Sequence, residues 1–221
     1  MDTTLHIYFA GDIFDHKDLA GNALLAQHIE ATSDGRYACV LPQNLEQSSN
    51  RAVNIRNQDL YQVMRCDLAL FNFDGDDLDS GTVVEFMLAK MLDIPALILR
   101  SDFRSAGDQN KDGDDWNLMC SFYPRSRKIQ FNAMAWFQAG HRPGANIMDS
   151  LAGLYQGVST DIVAALDAVC REPSLIQGDL TKAQTLYRWA REFPGHNLAS
   201  LLDDAALDDL VQRKHRLGLL G

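Results

Sequence analysis

The chain has 221 residues, a formal net charge of −10 and 46% hydrophobic residues. That length holds one large domain, or one domain with an appendage, and the apolar share suffices for a sizeable core. The acidic balance excludes a phosphate-backbone partner, which Lys and Arg must neutralise, and fits a small neutral or modestly charged ligand.

Met1 to Thr4 carry no basic stretch, and the apolar run that follows is too short for a signal peptide. That run, residues 5–10, reads as a strand meeting a turn at Gly11-Asp12. Residues 16–31 repeat Leu19, Ala23, Ala26 and Ile29 at helical spacing until Thr32-Ser33-Asp34-Gly35 stops them. Strands are expected at 37–41, 67–73 and 96–100, helices at 53–64 and 81–92, and a fifth strand at 128–134. Such alternation means βαβ units and a parallel sheet covered on both faces, with ligands bound beyond the carboxyl ends of its strands. Those ends are Ala10, Leu41, Phe73 and Leu99. After Pro143 the pattern turns helical, at 147–169, 182–192 and 198–217. We expect an α/β domain over residues 1–170 and a helical appendage over 171–221. The appendage's Leu186, Tyr187, Trp189, Leu201, Leu202, Leu207 and Leu210 can bury against that domain or against a second subunit.

Metal chemistry finds little support. Asp108, Asn110, Asp112 and Gly113 resemble the start of an EF-hand loop, but position 119, where the bidentate Glu belongs, is Met. Residues 101–117 then read either as a solvated loop or as a cover over the site. His28, His141, His196 and His215 have no ligand spacing. Cys39, Cys66, Cys120 and Cys170 form no C-x-x-C pair and suit a reducing compartment. With no window near the ~18 apolar residues of a membrane span, a cytoplasmic protein without metal or membrane partner is expected.

The informative turn is Asp74-Gly75-Asp76-Asp77-Leu78-Asp79-Ser80-Gly81-Thr82-Val83-Val84-Glu85. Asp79 or Ser80 can cap the helix that follows, and Glu85 then lies about one turn inside, where the macrodipole favours an ionised carboxylate. Such a carboxylate beside a sugar can act as the nucleophile of glycosyl transfer, with a second carboxyl group handling the proton. Acidic residues in a first helical turn are also ordinary caps and dipole partners. Asp59 lies in the preceding helix. Asp67, at the start of its strand, reads as structural.

Taken together, Ile7-Tyr8-Phe9-Ala10-Gly11, Asn54-Ile55-Arg56-Asn57-Gln58-Asp59, Cys66-Asp67, Asp74-Gly75 and Asp79-Ser80-Gly81-Thr82-x-x-Glu85 resemble the nucleoside 2-deoxyribosyltransferase family, over residues 5–137. The resemblance implies a flavodoxin-like, doubly wound, parallel five-stranded α/β sheet with the helical extension beyond it. It also implies exchange of nucleobases on 2-deoxyribose without a cofactor. The partners would be a deoxynucleoside and a free nucleobase, with a homodimer or higher homo-oligomer as the assembly. By the same resemblance Glu85 is the nucleophile, Tyr8 holds its carboxylate, and Asp59 and Asp79 bind the base and pass it a proton. Gly11, Asp12 and Gly81 are the expected substrate-binding turn residues, although Gly11 also reads as a plain turn glycine.

The chain departs from the family pattern in two places. Asp12 stands where Pro usually follows the first Ala-Gly pair. The segment expected to reach a neighbouring subunit's site is either Asn117-Leu118-Met119 or Asn132-Ala133-Met134, and Asn117 is taken as the candidate. Arg125-Ser126-Arg127-Lys128 opens an alternative, a hydrolase of deoxynucleosides or their 5′-monophosphates, because basic residues with a hydroxyl can hold phosphate. It also reads as a solvated basic turn. A non-catalytic flavodoxin-like binding module is a further alternative, against which stands the complete set of Tyr8, Asp59, Asp79 and Glu85. A flavin protein would need a Ser/Thr-rich phosphate loop that the turn after Ala10 lacks.

Overall fold

The computed structural model describes residues 4–45, 51–104, 113–141 and 143–221. Residues 105–112 of the 101–117 loop, including Asp108 to Asp112 of the EF-hand-like pattern, lie outside the described residues. In chain order the main elements are β1 Leu5–Ala10, α1 His16–Thr32, β2 Tyr37–Val40, α2 Ala52–Arg65, β3 Leu68–Asn72, α3 Ser80–Met91 and β4 Ala96–Arg100. They continue with β5 Ser126–Gln130, α4 Ala133–Gly140, α5 Ile147–Val169, α6 Leu180–Glu192 and α7 Asp204–Arg216. Short 3-10 turns occupy Leu118–Cys120 and Leu198–Ser200.

All four strand pairings are parallel, and the sheet order is β2-β1-β3-β4-β5, the flavodoxin-like doubly wound order. Side chains alternate across the pleat, so β1 sends Ile7 and Phe9 to one face and Tyr8 and Ala10 to the other. The first face is covered by α1 and α5, through Leu25, Ile29, Ile162, Leu166 and Val169. The second face meets α2, α3, α6 and α7, through Val63, Met64, Phe86, Tyr187, Leu207 and Val211. Side-chain acceptors start the helices: Asp15 caps α1, Asp79 α3, Asn132 α4, Asn146 α5, Asp179 α6 and Asp203 α7.

Two expectations are corrected. The fifth strand lies at Ser126–Gln130 and does not run on to residue 134, because the Asn132 side chain accepts from the amide of Ala135 at 2.9 Å and starts α4 there. The last helix starts at Asp204, after a 3-10 turn, because Asn197 is left-handed (φ 65°) and Asp203 supplies the cap.

The segment beyond α5 folds onto the second sheet face and is tied by buried polar contacts at the amino ends of the strands. Ahead of β4 and β5, Asp93 pairs with Arg125 at 2.9 Å, with only 5% and 1% of their side chains exposed. The same Asp93 carboxylate accepts from Ser174 Oγ at 2.6 Å and the Leu175 amide at 2.8 Å, and Arg125 donates to the Leu219 carbonyl at 2.9 Å. Ahead of β3, Arg213 donates to Asp67, and Lys214 to the Cys66 carbonyl. Removing one member of a buried pair strands the other's charge, so Asp93→Ala should lower stability by about 3–5 kcal/mol. Urea unfolding followed by circular dichroism measures this, and a loss below about 1 kcal/mol, the size of an exposed pair, would show that the anchor contributes no more than a surface contact.

Candidate active site

Tyr8 leaves β1 on the α2/α3 side, fully buried, two residues before the carboxyl end of the strand. Its hydroxyl donates to Glu85 Oε1 at 2.6 Å. Burial, then the nearby charges of Glu85 and Asp59, keep the Tyr8 proton on its oxygen far above the ordinary tyrosine range, so the tyrosine is the donor and the carboxylate the acceptor. Glu85 itself is pushed up to about 7, mainly by burial; the Tyr8 hydroxyl pulls it down, and the charges of Asp59 and Asp79 raise it again. A carboxylate near that value is half ionised at neutral pH and poorly solvated, which favours nucleophilic attack once the proton has left.

Asp79 caps α3. Its Oδ2 accepts from the Thr82 amide at 2.7 Å and the Thr82 hydroxyl at 2.9 Å, which leaves its other oxygen outside the cap. Gly81 makes this geometry possible, because a Cβ there would sit 3.0 Å from Asp79 Oδ2. Asp59 lies two turns along α2, half-buried, and burial raises it to about 6. Asp12 is half-buried too, and burial together with Asp79, Asp18 and Asp74 raises it. The structure therefore gathers Tyr8, Glu85, Asp59 and Asp79 into one electrostatically coupled group, with Asp12 at its edge.

Gly11 answers to a different neighbour. A Cβ at this position would stand 2.9 Å from Asn72 Cβ, so glycine is needed for the close approach of the ends of β1 and β3. Asn117 is exposed and accepts from the Met119 amide within its own turn, without a hydrogen bond to the group around Glu85. The basic cluster is dispersed from the residue before β5 to its middle: Arg125 pairs with Asp93, Arg127 with Glu172 and Lys128 with Asp114. Each cation of the cluster therefore has its own acidic partner.

Three residues that sequence reasoning left without a role support the turn. Asp74 accepts from the Ser101 amide at 2.6 Å, the Ser101 hydroxyl at 2.7 Å and the Asp102 amide at 2.8 Å. Arg100, wholly buried, donates to the Phe73 carbonyl, to that of Gly75 at 3.1 Å and to that of Arg104 at 2.9 Å. Thr82 was legible as the third residue after a cap and Asp74 as part of the Asp74-Gly75 pair, though without this role; Arg100 gave no local signal. A cavity of about 200 Å³ opens at the same edge of the sheet but on its α1/α5 face, lined by Asn22, Asn72, Asp74, Ser101, Trp136 and Tyr155. It does not include the Glu85 group, whose chemistry is the better guide to the site.

The family described as nucleoside 2-deoxyribosyltransferase matches residues 7–133, more than half of the chain and the whole span that holds these residues. The chain belongs to that family. Nucleoside 2-deoxyribosyltransferases are pentosyltransferases, and the match spans β1 through β5 and ends as α4 begins, well short of the C-terminal helices. No curated protein matches. Among solved structures, a conserved protein from Enterococcus faecalis V583 is 26% identical, with a TM-score of 0.48, covering 57% of this chain and 91% of its own. The 2-desoxiribosyltransferase from Leishmania mexicana is 23% identical with a TM-score of 0.44, covering 62% of this chain and 99% of that one. The 2-deoxyribosyltransferase from Bacillus psychrosaccharolyticus is 18% identical with a TM-score of 0.39, covering 57% and 85%.

Proposed function

We propose that the protein exchanges the nucleobase of 2′-deoxynucleosides through a covalent deoxyribosyl ester on Glu85. The observation that carries this reading is the 2.6 Å Tyr8–Glu85 hydrogen bond, with Asp59 and Asp79 close enough to raise Glu85 further. In the first half-reaction a Glu85 oxygen attacks C1′ while the bond from C1′ to the base nitrogen breaks. The base leaves with a proton from Asp59, because an unprotonated base anion is a poor leaving group. In the second half-reaction an acceptor base attacks C1′, returns a proton to Asp59 and frees the Glu85 carboxylate. Each step inverts C1′, so the exchange retains configuration overall.

The two aspartates divide the work by environment. Burial raises Asp59 to about 6, so it can hold a transferable proton near neutral pH. Asp79 takes two hydrogen bonds on one oxygen, which suits it to accept a donor of the base on the other. Incubating a deoxynucleoside with a second free base should yield a new deoxynucleoside by chromatography, and Glu85→Ala should abolish it while keeping the wild-type circular dichroism. Release of free base without exchange would favour a hydrolase.

The productive form has Glu85 ionised and Asp59 protonated. Glu85 loses competence as pH falls below about 7, and Asp59 loses it as pH rises above about 6. The kcat/KM profile should be a narrow bell peaking between those values, its two limbs belonging to the pair. Tyr8→Phe removes the hydrogen bond that lowers Glu85, so it should shrink the productive fraction and lower kcat/KM at its peak and on the acid side; Asp59→Asn should remove the alkaline limb and cost about 10²–10⁴-fold in rate. A flat profile would count against both assignments.

The assembly proposed is a homo-oligomer in which Asn117 reaches a neighbouring site. Supporting this, α3 exposes Val84, Met87 and Met91, and the adjoining turn exposes Leu118, Met119 and Phe122, up to 80% in the last case. Light scattering should give at least twice the 24.7 kDa chain mass; the mass of a single chain would take Asn117 out of the site.

A further inference from the structure

The C-terminal extension makes one set of polar contacts far from its anchors at the amino ends of the strands. Its turn after α6 presses carbonyl groups onto the amino-terminal half of α2. Asn57, only 4% exposed, donates from Nδ2 to the His196 carbonyl at 2.7 Å. Arg56 donates from Nη2 to the Pro194 carbonyl at 3.1 Å and to that of Gly195 at 3.4 Å. The same guanidinium donates to Asn57 Oδ1 at 2.8 Å and so fixes the amide's orientation.

The turn is built under strain. Gly195, His196 and Asn197 are all left-handed, with φ of 64°, 52° and 65°. For the two that carry a Cβ this conformation is unfavourable, and such backbone persists only where its surroundings over-determine it. Here Leu198, 1% exposed, is locked into the second core on one side of the turn, and Arg56 and Asn57 hold the carbonyls on the other.

Asn57 and Asp59 are two residues apart on a helix, so they point to nearly opposite sides of it. Asn57 faces the extension. Asp59 faces Tyr8 and Glu85, and its charge raises both. The helix is held between the two, and a shift on the Asn57 side moves the Asp59 carboxyl relative to the reacting base.

We propose that the 194–197 turn is a built-in back support for the proton-donating helix, and that Asn57 is a positioning residue for Asp59. This rests on the proposed role of Asp59 as proton donor, and it gives the extension, which lies beyond the span matched by the family, a part in catalysis. A misplaced proton donor hurts poor leaving groups most, whereas a merely structural loss lowers every rate alike.

The test is a series of deoxynucleosides whose free bases differ in acidity, with log kcat/KM plotted against the pKa of the leaving base for each variant. Asp59→Asn should steepen the line. Asn57→Ala should steepen it in the same sense, with roughly a ten- to a hundredfold loss for the most basic leaving base and little for the most acidic. Arg56→Gln, an exposed change that leaves the core intact, should do the same to a smaller degree and serves if Asn57→Ala fails to fold. Lines for the Asn57 and Arg56 variants parallel to wild type would overturn the inference while leaving Asp59 in its role. An Asp59→Asn line parallel to wild type would remove the proton donor and the inference with it.

Discussion

The hydrogen bond between Tyr8 and Glu85 joins the first strand to the third helix in a place largely closed to water. A short bond from a phenol to a carboxylate forms there only if several features agree. The pleat must send Tyr8 to the α2/α3 side, so the register of β1 matters to the residue. Glu85 must come one turn after a firm helix start, and Asp79, Gly81 and Thr82 fix that start by capping and by leaving room for the cap. The ends of β1 and β3 must approach closely, which Gly11 allows against Asn72.

The site collects negative charge where desolvation already penalises it. Two opposing effects set the balance: the amino end of α3 and the Tyr8 hydroxyl favour the ionised carboxylate, while burial and the neighbouring aspartates favour the protonated one. The outcome lies near neutrality for Glu85. Arg100 and Asp74 act on the same turn through hydrogen bonds to its backbone and to the segment after β4.

Much of this was legible in the sequence because it depends on short-range patterns. The apolar run of β1 ending at a turn, the capping sequence ahead of Glu85 and the alternation of strands with helices each leave a local trace, and the parallel sheet followed from them. What was not legible depends on residues brought from far away. Nothing near Asn132 announced that its side chain would end the fifth strand and begin a helix in place of further pairing. Arg125, Arg127 and Lys128 looked like one basic cluster because they are adjacent in the chain, but a strand sends neighbours to opposite faces and each found a separate acid. Asn57 gave no sign of its carbonyl partner, which lies 139 residues downstream.

The covering of the second sheet face has a consequence for synthesis on the ribosome. The helices α6 and α7, whose Tyr187, Leu207 and Val211 join the core on that side, come after all five strands, so the sheet is translated before this part of its cover exists. Domains tend to fold from the amino terminus as they emerge. The α1/α5 side can close first, while part of the α2/α3 side waits for the last helices. A nascent chain at that stage presents a surface that chaperones bind, until translation has passed α7 and the last helices cover it.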